Sequence, residues 1–233
     1  MWTRGNTNYR VLALLISIFA TIPLFAAAID SIQSEQEFDA YLHTYYLSPN
    51  PDNIDAAIRF IGISGLSSDA EAAPPLTAFF AEVFEQNEDR VAAWNQVIVQ
   101  QDHATQQLFS AAKSLNLRSY VRDAPASPRL NDMCWAGFLA SGRREYLERI
   151  IQNLAFVDER SDLNLYMTGA SAKWSLASNQ ASHPAVRKII ERSRANAEGR
   201  LEILLGEVLS TTPDAIRTET IEILKSQKER GIW

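Results

Sequence analysis

The spacing of apolar residues constrains this chain more than any other feature of its sequence. From Ser34 to the C-terminus, apolar residues recur three and four positions apart, and the alternation typical of a half-buried strand is almost absent. Such a period places apolar side chains on one face of a helix. The pattern predicts helices at about 34–47, 51–63, 74–86, 88–100, 102–116, 128–141, 143–154, 162–178, 183–206 and 213–229.

Helix-start motifs support this reading. Ser34 and Glu37 have the spacing of a capping box. A capping residue followed by proline occurs at Asn50-Pro51, Ser127-Pro128 and Thr212-Pro213, with His183-Pro184 as a looser form. Proline suits the first helical turn because its missing N–H has no partner within the helix there. With short connections and no βαβ pattern, we expect an all-α protein of about ten helices, arranged as antiparallel helical hairpins, α-solenoid-like or in an irregular helical array.

The N-terminal residues have the pattern of a secretory signal peptide. Arg4 and Arg10 precede an uncharged run over residues 11–29, in which Pro23 is followed by the small residues Ala26-Ala27-Ala28. We therefore expect residues 1–28 to be removed and the mature protein to be exported, either periplasmic or secreted. An uncleaved anchor is the alternative, because 19 uncharged residues are close to the minimum that spans a bilayer.

The longest break between predicted helices marks the expected division of the mature chain. We expect an N-terminal acidic helical half at residues 29–116, a connecting segment at 117–127 and a C-terminal helical half at 128–233. A single domain over residues 29–233 is the alternative.

One internal similarity joins residues 50–65 and 127–142. The two segments align without gaps at an offset of 77 residues, and each runs from a capping residue and proline to Ser-Gly. The offset is close to twice the length of common two-helix repeats, which favours an α-solenoid. A chance match is the alternative to a true duplication.

Cysteine content and charge exclude several classes of protein. The single cysteine, Cys134, excludes an intramolecular disulfide framework and multi-cysteine metal sites, and we expect it to be a small buried hydrophobe. A net charge of −6 disfavours nucleic-acid binding. Residues 30–102 carry 13 acidic and 2 basic side chains, whereas residues 103–233 carry 15 acidic and 18 basic ones. This asymmetry predicts electrostatic orientation of a partner or head-to-tail self-association.

Three stretches of the C-terminal half resemble uncharacterised exported bacterial proteins that are all-helical and helical-repeat-like. They cover residues 132–142, 146–154 and 169–179, and begin Asp132-Met-Cys-Trp, Tyr146-Leu-Glu-Arg and Gly169-Ala-Ser-Ala. The resemblance implies a helical fold and an exported location. It implies no reaction, cofactor or catalytic residue.

Metal and nucleophile motifs are weak. His43, His103 and His183 are too dispersed to form a metal-binding pair, and we expect no metal and no cofactor. Ser110 and Lys113 have nucleophile-and-base spacing, but the partner motifs are absent. Residues 169–173 resemble a nucleophile elbow without its final glycine, and their small side chains favour close helix packing instead.

A glycan hydrolase of the cell envelope is the alternative function, because such enzymes use a carboxylic acid in a cleft. The acids that the sequence offers are Glu82, Glu85, Asp158, Glu159 and Asp162. The structural alternative is that the first two acids lie on the solvated face of an amphipathic helix and that the other three lie in a helix-capping loop. Taken together, these motifs favour a protein without enzymatic activity over an enzyme.

Aromatic and basic residues form the candidate binding site. Trp135, Tyr146 and Trp174 are the expected anchors if their helices leave a concave face, and core packing is the alternative. Arg187, Lys188 and Arg192 give one helix a basic side suited to an anionic surface, with a solvated face as the alternative.

We therefore expect an exported helical-repeat binding or scaffold protein that acts by protein–protein interaction. Its partner would be a protein or another envelope macromolecule, with self-association possible and with no nucleic acid. Membrane contact is expected only through an uncleaved N-terminal segment.

The intact mass of the protein recovered from the producing cell tests the signal-peptide prediction. Cleavage after Ala28 leaves 205 residues with a net charge of −8. A chain of unreduced mass in the membrane fraction would contradict cleavage and support the anchor.

Overall fold

The structure is a computed structural model that describes residues 32–233, and the predicted signal peptide lies outside these residues. The described residues form twelve α-helices and five short 3₁₀-helices, with no strand among them. The predicted all-α fold class is therefore confirmed. The solenoid-like or hairpin arrangement stays a prediction.

The α-helices are numbered in chain order. The first six are α1 (Glu35–Thr44), α2 (Ile54–Ser64), α3 (Ala73–Gln86), α4 (Val91–Ile98), α5 (His103–Ser114) and α6 (Leu117–Asp123). The other six are α7 (Pro128–Ser141), α8 (Arg144–Asn153), α9 (Leu163–Asn179), α10 (Pro184–Ala195), α11 (Arg200–Ser210) and α12 (Pro213–Glu229).

Several helices begin at the predicted capping residues. The Ser34 hydroxyl accepts a hydrogen bond from the Glu37 N–H, and the Glu37 carboxylate accepts one from the Ser34 N–H, which completes the predicted capping box of α1. Thr212 caps α12 through its side chain. Asn50 caps a 3₁₀-helix, Pro51–Asn53, which leads into α2.

Two helix predictions were wrong. The single helix expected at 183–206 is two helices, α10 and α11, because Asn196 ends the first of them by donating its side-chain amide to the Arg192 carbonyl at 2.7 Å. The connecting segment expected at 117–127 contains α6. Leu117 and Val121, one turn apart on α6, are both buried and anchor this short helix.

The two segments of the internal similarity have matching ends. Asn50 and Ser127 both accept a backbone hydrogen bond through their side chains at the start of the segment. Gly65 and Gly142 both have positive φ, +77° and +68°, at the end. This conformation is easily reached only by residues without a Cβ, which explains the shared Ser-Gly ending.

The chain divides into two compact units. The first contains the described residues up to Leu117 together with Ala136–Gly142, and the second contains Arg118–Trp135 and Arg143–Trp233. The division therefore begins where the connecting segment was expected, but residues 136–142 group with the first unit.

Aromatic side chains fill the core of the first unit. Helices α3 and α5 pack together, and Phe80 meets Phe109 edge-on with ring centroids 4.8 Å apart. Phe84 stacks on Trp94 of α4 at 5.6 Å. Offset and edge-on rings of this kind stabilise a core beyond the area that they bury.

Helix α9 is the centre of the second unit, where it contacts α8, α10, α11, α12 and the 3₁₀-helix Leu154–Phe156. Gly169 makes this packing possible. A Cβ at this position would lie 2.3 Å from the backbone nitrogen of Val157 and 2.4 Å from the carbonyl carbon of Phe156. The prediction that small residues allow close packing is therefore confirmed at Gly169.

Replacing Gly169 tests this close approach. Gly169→Ala forces backbone against backbone, so we expect the free energy of unfolding to fall by about 1–3 kcal/mol, as overpacking usually costs. Urea denaturation followed by circular dichroism measures the change. Gly206→Ala is the matched control, because its Cβ would meet only the Arg194 side chain at 3.3 Å and alanine favours the helix. Equal destabilisation by both variants would contradict the argument.

Candidate partner-binding groove

The predicted aromatic anchors are mostly interior residues. Trp135 is 6% exposed and Tyr146 is fully buried, whereas Trp174 is partly exposed. Side chains with so little accessible surface belong to the core, which was the alternative interpretation of the aromatic pattern. A partner cannot reach Trp135 and Tyr146 as they stand.

The predicted basic residues are all exposed on α10. Arg187 is engaged locally, because it donates from Nε to Glu191 at 2.8 Å and from Nη1 to Gln180 at 2.9 Å. In the described part of the chain, Lys188 and Arg192 have neither an ion pair nor a side-chain hydrogen bond. Arg187 is therefore paired within the chain, whereas Lys188 and Arg192 can contact a partner.

Arg192 is the one of these three cations that lines a groove. The groove lies between α8 and α10, which pack against each other in the second unit, and it has a volume of about 240 Å³. Its lining residues, which define the charged groove, are Arg144, Glu148, Ile189, Arg192, Ser193 and Asn196. The first two come from the start of α8 and the others from the last turns of α10 and its end.

Local helix chemistry explains the positions of these residues. Arg192 lies in the last turn of α10, where the negative end of the helix dipole stabilises a cation. Arg144 and Glu148, one turn apart on α8, form an ion pair with Nε and Oε1 3.0 Å apart. Glu148 therefore neutralises Arg144, and Arg192 is left as the charge in the groove that lacks a partner.

This arrangement suits an acidic group carried on a peptide. A guanidinium is planar and forms two parallel hydrogen bonds to a carboxylate. Ile189 supplies apolar surface beside it, and Ser193 supplies a hydroxyl. The volume of about 240 Å³ is below the roughly 300–1,000 Å³ of small-molecule pockets, so the groove accommodates one or two side chains of a larger partner.

The candidate nucleophiles are occupied in other ways. Lys113 donates to Asn95 at 2.9 Å, although Ser110 lies one turn before it. Ser171 donates to the Thr168 carbonyl at 3.0 Å and accepts from Asn131 at 2.8 Å.

Cys134 is buried, as expected, and burial raises the pKa of its thiol to about 12. No three potential metal ligands among His, Cys, Asp and Glu cluster within residues 32–233.

Two of the acids proposed for a hydrolase, Asp158 and Glu159, lack the raised pKa of a general acid. Glu82 is fully buried, and Glu85, Asp158 and Asp162 are exposed. A hydrogen bond from Arg200 lowers the pKa of Asp158, and hydrogen bonds from Ser161 and nearby backbone lower that of Glu159 to about 2. A glycosidase acid needs a raised pKa to be protonated at neutral pH. The hydrolase alternative stays a prediction, without support from Asp158 and Glu159.

The sequence analysis missed a chain of ion pairs in the second unit. Lys173, 5% exposed, contacts Glu207 at 2.7 Å and Glu219 at 3.1 Å. Arg200 contacts Glu207 at 3.6 Å and continues the chain to Asp158 at 2.6 Å. Burial alone would lower the pKa of Lys173, but hydrogen bonds to both glutamates raise it above its ordinary value. No local sequence motif predicts this network, because its charged residues are far apart in the chain.

Comparisons of the chain with protein-family models, curated protein sequences and solved structures give no match. The resemblance to exported bacterial helical proteins therefore stays a prediction. None of the helices within residues 32–233 has both the length and the apolar composition needed to cross a bilayer.

The lowered pKa of Glu159 predicts acid sensitivity. A carboxyl whose pKa is lower in the folded state stabilises the protein above its unfolded value of 4.5, and this contribution is lost as the pH falls towards about 2. We therefore expect Glu159→Gln to be less stable than the wild type at pH near 6, with the difference shrinking as the pH falls through about 4 to about 2.

Urea titrations across this pH range measure the difference in free energy of unfolding. Glu198→Gln, which also removes one exposed carboxylate, serves as the control. A constant difference between Glu159→Gln and the wild type would contradict the assignment.

Proposed function

We propose that the protein is an exported helical binding protein whose charged groove recognises an acidic segment of a partner protein. The observation that carries this proposal is Arg192, an exposed guanidinium that lines the groove and has no partner within the described residues. Its neighbour Arg144 is already paired with Glu148. A carboxylate from outside the chain would complete the charge balance at Arg192.

The groove chemistry favours a protein over other anionic partners. A nucleic acid presents a continuous line of phosphates and needs several cations in a row, whereas the groove contains two arginines and one opposing glutamate. Glu148 repels a second negative charge placed close to the first. An acidic side chain next to an apolar one, which would contact Ile189, satisfies both constraints.

The lining residues have separable roles in this proposal. Arg192 binds the carboxylate, Ser193 donates an additional hydrogen bond, and Ile189 packs on the adjacent apolar side chain. The Arg144–Glu148 pair confines the site to one acidic group. Recognition therefore depends on one central contact, as is common where a few residues dominate a binding energy.

The exported location is the part of the proposal that rests on sequence alone. The basic residues, apolar run and small residues of segment 1–28 support it. An envelope or extracellular partner follows from that location.

Fluorescence anisotropy with a labelled peptide tests the binding site. The probe contains a single glutamate next to one leucine, and the same peptide with lysine in place of that glutamate is its control. We expect Arg192→Ala to weaken binding of the acidic peptide about 10- to 100-fold, because a hydrogen bond to a charged group is worth about 1.5–3 kcal/mol.

Lys188→Ala is the matched variant, since Lys188 is exposed on the same helix but does not line the groove. It should retain most of the affinity, and higher salt should weaken binding. Equal loss in both variants, or equal binding of the lysine peptide, would refute the proposed site.

A further inference from the structure

A second groove, lined mainly by apolar side chains, lies in the first unit. Its walls come from α1, α3 and α7, with Phe38, Leu42, Leu76, Phe79 and Leu139 among the lining side chains. Its volume is about 50 Å³, well below the roughly 150 Å³ of a cavity that admits benzene. This space suits one aliphatic side chain rather than a ring.

The negative charge around this apolar groove determines which kind of ligand it can bind. Glu35 and Asp39 of α1 are the two charged residues in its lining. The described part of the first unit has 12 acidic and 3 basic side chains, a net charge of −9. A fatty-acid carboxylate or an anionic lipid would be repelled. The complementary occupant is an aliphatic side chain flanked by cations.

The exposed side of α12 has this chemistry. Ile221 is 41% exposed, and Arg217 and Lys225 lie one turn before and one turn after it. Residues four apart on a helix share a face. Neither cation has an ion pair among the described residues, and the described part of the second unit carries a net charge of +2.

We propose that the apolar groove binds α12 of a second copy of this chain, with Ile221 inserted and with Arg217 and Lys225 facing Glu35 and Asp39. Along their helices the cations are about 12 Å apart and the acids about 6 Å apart, a difference that the long Arg and Lys side chains can bridge. The groove and the helix belong to different units of the chain, so the contact is head-to-tail.

A head-to-tail contact has consequences that a symmetric dimer does not. Each copy keeps one free groove and one free helix, so association continues to a ring or to an open chain. One helix in a narrow groove buries less than the roughly 1,200 Å² of stable interfaces, and exposed ion pairs are individually weak. The assembly should therefore be reversible, depend on concentration and weaken with salt.

A charge-swap experiment tests the contact by sedimentation velocity, using the protein in the form that the cell accumulates. The groove variant is Glu35→Lys with Asp39→Lys, and the helix variant is Arg217→Glu with Lys225→Glu. Each variant alone should be monomeric at concentrations where the wild type associates. An equimolar mixture should associate again, because the unmutated helix of the groove variant meets the unmutated groove of the helix variant, and the two mutated surfaces also carry opposite charges.

Two controls separate this effect from unfolding and from net charge. Far-ultraviolet circular dichroism must show that each variant keeps its helices, since Glu35 lies in the first turn of α1. Glu88→Lys and Lys188→Glu change exposed charges of the same units outside the contact and should associate like the wild type.

Ile221→Ala, which keeps both cations, should reduce association through loss of the apolar anchor. A monomeric wild type at every concentration, or a mixture of variants that fails to associate, would overturn the proposal. Arg192→Ala should associate normally, so this result is independent of the acidic-peptide site.

Discussion

The second unit depends on the close approach of α9 to the backbone of residues 156–157. Because Gly169 has no side chain, α9 lies directly against this backbone, and the same helix also contacts α8, α10, α11 and α12. Asn131 reinforces the approach by donating to the Thr168 carbonyl at 2.9 Å and accepting from Asn153 at 2.6 Å. Buried amides with such bonds specify one arrangement of their helices. Helices α8 and α10, which form the charged groove, both pack against α9.

Helix identity was predictable from sequence because its determinants are local. Capping residues such as Ser34 and Thr212, and apolar spacing along each helix, act within a few residues. Where the prediction failed at 183–206, the features at the break were also local, namely the Asn196 side chain that caps α10 and the positive φ, +62°, of Gly199 before α11. In α6, the signal was too short to separate from a loop.

The residue types of the candidate site could be predicted from sequence, but their availability to a partner could not. The basic residues of α10 are visible in the sequence, but exposure and pairing decide which of them is available, and these depend on tertiary contacts. Arg144 and Glu148 line the same groove as Arg192 only because α8 packs on α10. The prediction for the aromatic residues failed. Trp and Tyr are residue types typical of interfaces, but Trp135 and Tyr146 are buried in the core.

The contrast between Lys173 and Arg192 shows how the same charge acquires different roles. Lys173 is buried and held between two glutamates, an arrangement in which removal of one partner is costly and an external ligand has no access. Arg192 is exposed and lines a groove, and no carboxylate of residues 32–233 forms an ion pair or hydrogen bond with it. A cation that the fold supports without neutralising can exchange its water for a ligand at little structural cost. This difference, rather than the number of basic residues on α10, distinguishes the charged groove from the ion pairs around Lys173.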